Sequence, residues 1–507
     1  MMRVVRFALI AVLVVATAGA AAAAYVLHDP NRFKPEIESL IARQTGVPVR
    51  IGGDLSWTVW PSVHLAAADV SAEQDGQSWS VAALEIGLDP LKLLNPPEQW
   101  TVQSLRVADV AVLQGGRRFD VVDAALSDFT PGQPAPFTAS LRVPGSADGE
   151  PLAIRLNGRI DVDPATLAVR LEDTRIESEA GEGVCNLSAR PNGLPAGPAD
   201  GPGALIPAGQ VRAHDWDGRC SFDWLRWNGR RFDDVTVTSE GSRGIADARI
   251  DAPAFFGGSA RAEVTLDAAT APLHWTVEPT LDGVDSAAVL DWLGQDLHWA
   301  APLAYGGRLT LSGNTPEALA ASVQGRTRFD GGQGEIDISR IRADLIDLAD
   351  RIDAGQRIRA WPELWRYERF VGDWRIDGAR HALDMDLDNL SVDGAGTYQP
   401  LTDELDMRFE LTFGQNPNLP VFDVDPLLYG LPIPLRCRGS LAEPACGVDP
   451  DAAAQIVGRA LRDGGDDGLR RRLEQRIDQD VPEQYRDAAR SLLEAFSRAA
   501  GEGADDS

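Results

Sequence analysis

The sequence predicts a mainly β chain: an elongated antiparallel sheet behind one amino-terminal transmembrane helix, with a few short helices and a helical carboxy-terminal tail. Three observations lead there. Long stretches alternate apolar and polar residues with a period of two. The turns between them are built from Asp, Asn, Gly and Pro. Residues 7–27 form an uncharged apolar run.

That run comes first. Arg3 and Arg6 precede Phe7 to Leu27, a length close to the ~20 residues a spanning helix needs. The arginines hold the short leading end on the cytoplasmic side and send the rest across. In a cell with two membranes this makes residues 1–27 a single-pass inner-membrane anchor and places the bulk of the chain in the periplasm. A cleaved signal peptide is the competing reading, because Ala16 to Ala24 offers small-residue cleavage sites. The run exceeds the ~7–15 residues of a signal core, which favours the anchor.

After the anchor, "NRFKPEIESLIARQTG" places Ile37, Leu40 and Ile41 at helical spacing and ends on Gly46. The dominant period then becomes two. "PLAIRLNGRI" sets Leu152, Ile154, Leu156 and Ile160 on one face, and "LAVRL" does the same with Leu167, Val169 and Leu171 after the turn "DVDPAT". "HALDMDLDNL" sets Leu383, Met385 and Leu387 one way and Asp384, Asp386 and Asp388 the other. "YGGRLTLSGNTPEALAASVQGRTRF" reads as strand, turn, strand. Helices are predicted at Asp285 to Asp296 and Ile338 to Asp353. The Pro/Gly-rich stretch from Ala189 to Gly209 reads as an irregular insertion. The tail, residues 449–507, is charged and helical, with Leu469, Leu473 and Ile477 making a stripe that packs on the chain itself.

The four cysteines fall into two local couples. In an oxidising compartment they favour Cys185–Cys220 and Cys437–Cys446, although four cysteines permit three pairings. A net charge of −28 argues against nucleic acid as a partner and against docking on anionic lipid by charge. Hydrophobic residues make up 44% of the 507, with Trp and Phe spread throughout, so the chain can bury apolar surface.

No catalytic constellation emerges. The six histidines are scattered, and no H-E-x-x-H, G-x-S-x-G or Walker loop occurs. "DMDLDN" resembles the start of a calcium loop, but Asn389 and Ala395 replace the Gly and Glu that such a loop needs. The expectation is a protein with no enzymatic activity, no cofactor and no metal.

The stretch "TGVPVRIGGDLSWTVWPSVHLAAADVSA" remains. A Thr-Gly pair, a strand, glycine, a second strand and an aromatic-Pro step into a third strand resemble the amino-terminal signature of the AsmA family. Here these are Thr45-Gly46, Val49 to Ile51, Gly52/Gly53, Leu55 to Val59 and Trp60-Pro61. "LDPLKLL", "FFGGSARAEVTLDA", "VQGRTRFDGGQGEIDISRI" and "LSVDGAGTYQPLTDELDMRFEL" look like later family elements. The cysteines and the Ala189 to Gly209 insertion depart from the pattern. The resemblance implies that residues 28–448 form a β-groove with an apolar inner face, related to bridge-like lipid transfer proteins and linked to outer-membrane biogenesis. It implies a phospholipid or other glycerolipid as ligand, taken along that groove. Leu152, Ile154, Leu156, Leu167, Val169, Leu171, Leu383, Met385 and Leu387 are the groove candidates. Trp57 and Trp60 supply aromatic surface near the membrane, more as caps on the interior than as lipid contacts. The alternative is an assembly factor that modulates outer-membrane protein insertion through its sheet edges.

Overall fold

A computed structural model describes residues 29–45, 48–58, 63–74, 77–88, 102–114, 117–143, 151–197, 201, 203–295, 297–350, 356–415, 422–425, 428–441 and 444–448. The anchor at 1–27, Trp60 and the tail at 449–507 lie outside them. Among the described residues no helix is long and apolar enough to cross a membrane. The chain divides into two compact units, Met1–Ala248 with Asp267–Ala269, and Arg249–Leu266 with Thr270–Ser507.

The first unit opens with a 3-10 turn at Pro30–Phe33 and helix α1 (Lys34–Thr45). Twelve strands follow: β1 (Val49–Ile51), β2 (Leu55–Thr58), β3 (Val63–Gln74), β4 (Gln77–Leu88), β5 (Val102–Gln114), β6 (Arg117–Phe129), β7 (Ala135–Val143), β8 (Leu152–Val162), β9 (Val169–Ser178), β10 (Gly181–Pro191), β11 (His214–Trp227) and β12 (Arg230–Ser242). From β3 to β12 each strand pairs antiparallel with the next. β1 and β2 both lie on the outer side of β3, so they form a sheet edge. Gly52 and Gly53 join them, and Gly53 has to be glycine. An added Cβ would come within 2.7 Å of the Ala68 Cβ and 2.8 Å of its carbonyl oxygen.

A short helix, α2 (Ala208–Ala213), precedes β11 and overlaps the predicted irregular stretch only at Ala208 and Gly209. Arg212 fixes it, donating from Nε to the Ala268 carbonyl and from Nη1 to the Ala196 carbonyl. β13 (Ile245–Phe255) and β14 (Gly258–Asp267) contribute residues to both units.

The second unit carries β15 (His274–Asp285), α3 (Ser286–Trp292), β16 (Trp299–Ala300), β17 (Pro302–Ser312), α4 (Pro316–Ser322), β18 (Gln324–Asp330), β19 (Gly334–Asp337), α5 (Ser339–Asp350), β20 (Leu364–Tyr367), β21 (Phe370–Asp377), β22 (Arg380–Leu387), β23 (Leu390–Gln399), β24 (Glu404–Phe413), β25 (Ile433–Gly439) and β26 (Pro444–Val448). β15, β17, β18 and β21 to β26 pair in that order, all antiparallel. β16, β19 and β20 make a separate three-stranded sheet. α4 interrupts the predicted strand, turn, strand run. Thr315 caps it by accepting from the Ala318 amide, and Pro316 occupies its first turn.

Both disulfides are present, and in each the two cysteines face one another across paired strands: Cys185 with Cys220, and Cys437 with Cys446.

Candidate functional site

Register decides which side chains share a face. Along β7 and β8, Phe137, Ala139, Leu141 and Val143 stand opposite Gly158, Leu156, Ile154 and Leu152. Along β8 and β9, Leu156 faces Ile176, Ile160 faces Leu171 and Val162 faces Val169. β10 continues the row with Leu187 beside Leu171 and Ala189 beside Val169. The intervening residues, among them Arg155, Asn157, Arg159, Arg170 and Arg175, point the other way. The predicted face at Leu152, Ile154, Leu156, Val169 and Leu171 is therefore brought together. Leu167 is not part of it. It stands before β9 in a left-handed turn (φ 56) and is 62% exposed, because the "DVDPAT" turn runs two residues longer than alternation suggests.

The face holds together through three-residue steps that sequence periodicity misses. Successive apolar partners in β3 to β6 are Ala67–Leu84–Val107–Ala124 and then Val70–Val81–Val110–Val121. Each strand advances three residues between these positions, not two. Asp69 and Asp109 absorb the extra step with φ of 51 and 49, a conformation Asp tolerates better than most residues. Asp173 (φ 47) and Asp234 (φ 58) do the same between Leu171 and Thr174 and between Phe232 and Val235. At Asp173 the register also shifts against both β8 and β10, and a bulge of that kind bends a strand and increases its twist. Without the extra residue, every residue beyond the step would change faces.

What covers this face matters most. In the first unit the buried cluster is Val49, Ile51, Leu55, Ala67, Val70 and Ala72, under Ile37 of α1. Beyond it, among the described residues of β5 to β9, Ala135 is the one hydrophobic side chain that is fully buried. Phe137, Leu141, Leu152, Ile154, Leu156, Ile160, Val169, Leu171 and Ile176 are all half-buried. Neighbours on one sheet surface shield each other to that degree; a packed second layer would bury them completely.

The opposite side is polar and laced with ion pairs: Arg106–Asp123 (3.3 Å), Arg170–Asp161 (3.3 Å), Arg175–Glu182 (3.3 Å) and Arg190–Asp215 (3.4 Å). Pairs whose members are exposed, such as Arg106–Asp123 and Arg175–Glu182, add little stability; Asp161 is 6% exposed. A hollow of about 370 Å³ is lined by the polar residues His64, Glu85, Ser104, Arg106, Ser127, Thr138 and Asn157 and by the apolar Leu105, Ala125, Leu126, Pro136 and Phe137. The polar members are exposed, while Leu105, Ala125, Leu126 and Phe137 are half-buried.

The second unit contrasts with the first. Leu383 and Met385 are half-buried. Leu387, also expected on an open groove, is 7% exposed inside a filled core with Trp361, Trp365, Tyr367, Phe413, Phe422 and Leu345. The three-stranded sheet and α5 cover it there, an element pairing that alternation within one strand cannot report. Asp388 corrects the expectation of three solvent-facing aspartates. It is 6% exposed and turns inward (φ 54). Its carboxylate accepts from Trp365 Nε1 (3.1 Å) and from the amides of Glu368 (3.0 Å) and Arg369 (3.1 Å).

His381 sits on the same sheet face as Leu383, 8% exposed, between the rings of Trp374 and Tyr398. Trp374 Nε1 donates to its Nδ1 at 3.0 Å. An indole can only donate, so Nδ1 accepts and the imidazole is neutral. Burial pushes its pKa below the ordinary 6.5, against a smaller opposing effect of the Tyr398 backbone. A proton is thus bound more readily by the unfolded chain. His381 stabilises the fold above its unfolded pKa and loses that contribution as pH falls through the window beneath 6.5. Between about pH 7 and about pH 5, the urea midpoint of the second unit is expected to fall further in wild type than in His381→Gln. Parallel slopes would contradict this.

Trp57 is half-buried and its ring packs against Phe33 at 5.6 Å.

The fold and face define a class: an antiparallel β-meander protein whose first unit carries a one-sided apolar sheet with no buried core beneath its middle strands, among the described residues. The AsmA family model matches residues 1–112 of the 507. The match supports the resemblance seen at Thr45 to Ala72; the looser likenesses run on to Leu411. Comparison with curated proteins and with solved structures found no match.

Proposed function

We propose that the first unit binds the acyl chains of a phospholipid or other glycerolipid on its half-buried apolar face and conducts them along it as part of outer-membrane biogenesis. The carrying observation is the face itself: nine half-buried apolar side chains on β7 to β9 with one buried hydrophobic residue among the described residues of β5 to β9. An apolar surface this continuous marks an interaction site. Hydrocarbon chains supply the missing second layer, while the headgroup stays in water. The family match at residues 1–112 supports the same reading. In it, residues 1–27 anchor the chain in the inner membrane and the units stand in the periplasm, where an oxidising environment suits both disulfides. No catalytic step is part of the proposal.

Val169→Asp tests it. On a dry core face the new carboxylate would be buried unpaired, costing several kcal/mol. On an open face it stays hydrated. The expected result is a near-wild-type thermal midpoint with loss of co-purifying lipid, measured by mass spectrometry of the full chain. A variant that unfolds, or one that folds and keeps its full lipid load, contradicts the proposal.

A further inference from the structure

Strands β1 and β2 end the sheet of the first unit, and a sheet edge offers unpaired amides to any extended chain that meets it. Here two of those amides are already taken by side chains. The Ile51 N–H donates to Glu38 Oε1 at 2.7 Å, and the Leu55 N–H donates to Asn31 Oδ1 at 2.9 Å. Both acceptors belong to the helical arm formed by the 3-10 turn and α1. The arm is further pinned by Phe33 on Trp57 and by Ile37 on the buried cluster of β1 to β3. A side-chain oxygen on each strand, delivered from one arm, fills the sites that a pairing strand would use.

We propose that this arm is an edge guard, and that the strand addition it prevents is with a second copy of the same chain. The edge is self-complementary. Arg50 and Asp54 lie two residues on either side of Gly52, so a copy paired antiparallel about Gly52 sets Arg50 of each chain opposite Asp54 of the other. Closed two-fold pairing of one edge with itself follows. The overall charge of −28 gives the rest of the molecule no comparable attraction for its copy.

The test measures the protein molar mass of the full chain in detergent micelles by light scattering. Wild type is expected as a monomer. Asn31→Ala with Glu38→Ala is expected to double the mass, Arg50→Asp added to that pair to restore the monomer, and Asp54→Arg added in turn to restore the doubled mass. A folded Asn31→Ala/Glu38→Ala protein that stays monomeric overturns the proposal, as does a dimer indifferent to Arg50→Asp or a wild type that is already dimeric. Should the double variant unfold, amide exchange on the wild-type full chain decides. Protection of the Ile51 and Leu55 amides supports the guard, and exchange at the rate of open edge amides overturns it.

Discussion

Replacing Phe422 by alanine is expected to destabilise the second unit by about 3–5 kcal/mol, the usual loss for a large aromatic removed from a packed core. Phe422 is 1% exposed. Its ring stacks on Trp365 at 3.7 Å and meets Trp361 at 4.9 Å, while Phe413 lies 6.1 Å away. These rings, hemmed in by Ile358 and Leu428, leave little room to collapse into the space vacated. Leu156→Ala in the first unit is the informative contrast. Its side chain is half-buried with no packed layer to leave hollow, so only part of the ~1.5–3 kcal/mol transfer value of a leucine is at stake. Urea unfolding of the two variants should therefore separate sharply. Equal losses would mean that the face at Leu156 is as tightly packed as the core around Phe422.

The second large effect is expected at Asp388. Alanine there leaves the buried Trp365 Nε1 and the part-buried amides of Glu368 and Arg369 without an acceptor. The orphaned indole costs about 1–3 kcal/mol, the part-buried amides less, and alanine in the left-handed conformation at φ 54 adds about 1 kcal/mol. Asn retains one oxygen acceptor and tolerates that backbone conformation. Asp388→Ala is thus expected to lose several kcal/mol in urea unfolding, with the near-ultraviolet signal of Trp365 altered, while Asp388→Asn recovers much of the loss. An Asp388→Ala protein within experimental error of wild type would show that water reaches all three donors.

Much of the fold was legible because local signals suffice for a meander. Leu152, Ile154 and Leu156 alternate cleanly with Ala153, Arg155 and Asn157, and each cysteine couple sits on neighbouring strands. The helix after Thr315 was also written in the sequence, as Thr-Pro-Glu before an apolar turn, yet flanking β pattern masked it. Other features depend on information that a period cannot carry. The three-residue steps at Asp69, Asp109, Asp173 and Asp234 change faces only when the partner strand's register is known. "LDMDLDN" looks uniform, yet Met385 is half-buried, Leu387 lies in a filled core and Asp388 accepts three hydrogen bonds, because β20 and the chain around Phe422 pack over one end of β22 alone. Periodicity told which side of a strand is apolar; only the structure told whether anything lies on that side. The edge amides held by Asn31 and Glu38 belong with these, since both acceptors come from a helix more than ten residues away from the strand they serve.

The most direct test of an open, lipid-bearing face is photo-crosslinking in intact cells. A benzophenone amino acid is placed in turn at Leu141 and Leu156 on the apolar side, and at Ser140 and Arg155 on the polar side of the same two strands. Lipid adducts at Leu141 and Leu156, with none above background at Ser140 and Arg155, are the predicted result. Adducts of equal strength on both sides, or at none of the four positions while the protein remains folded, would contradict an acyl-chain face in the first unit.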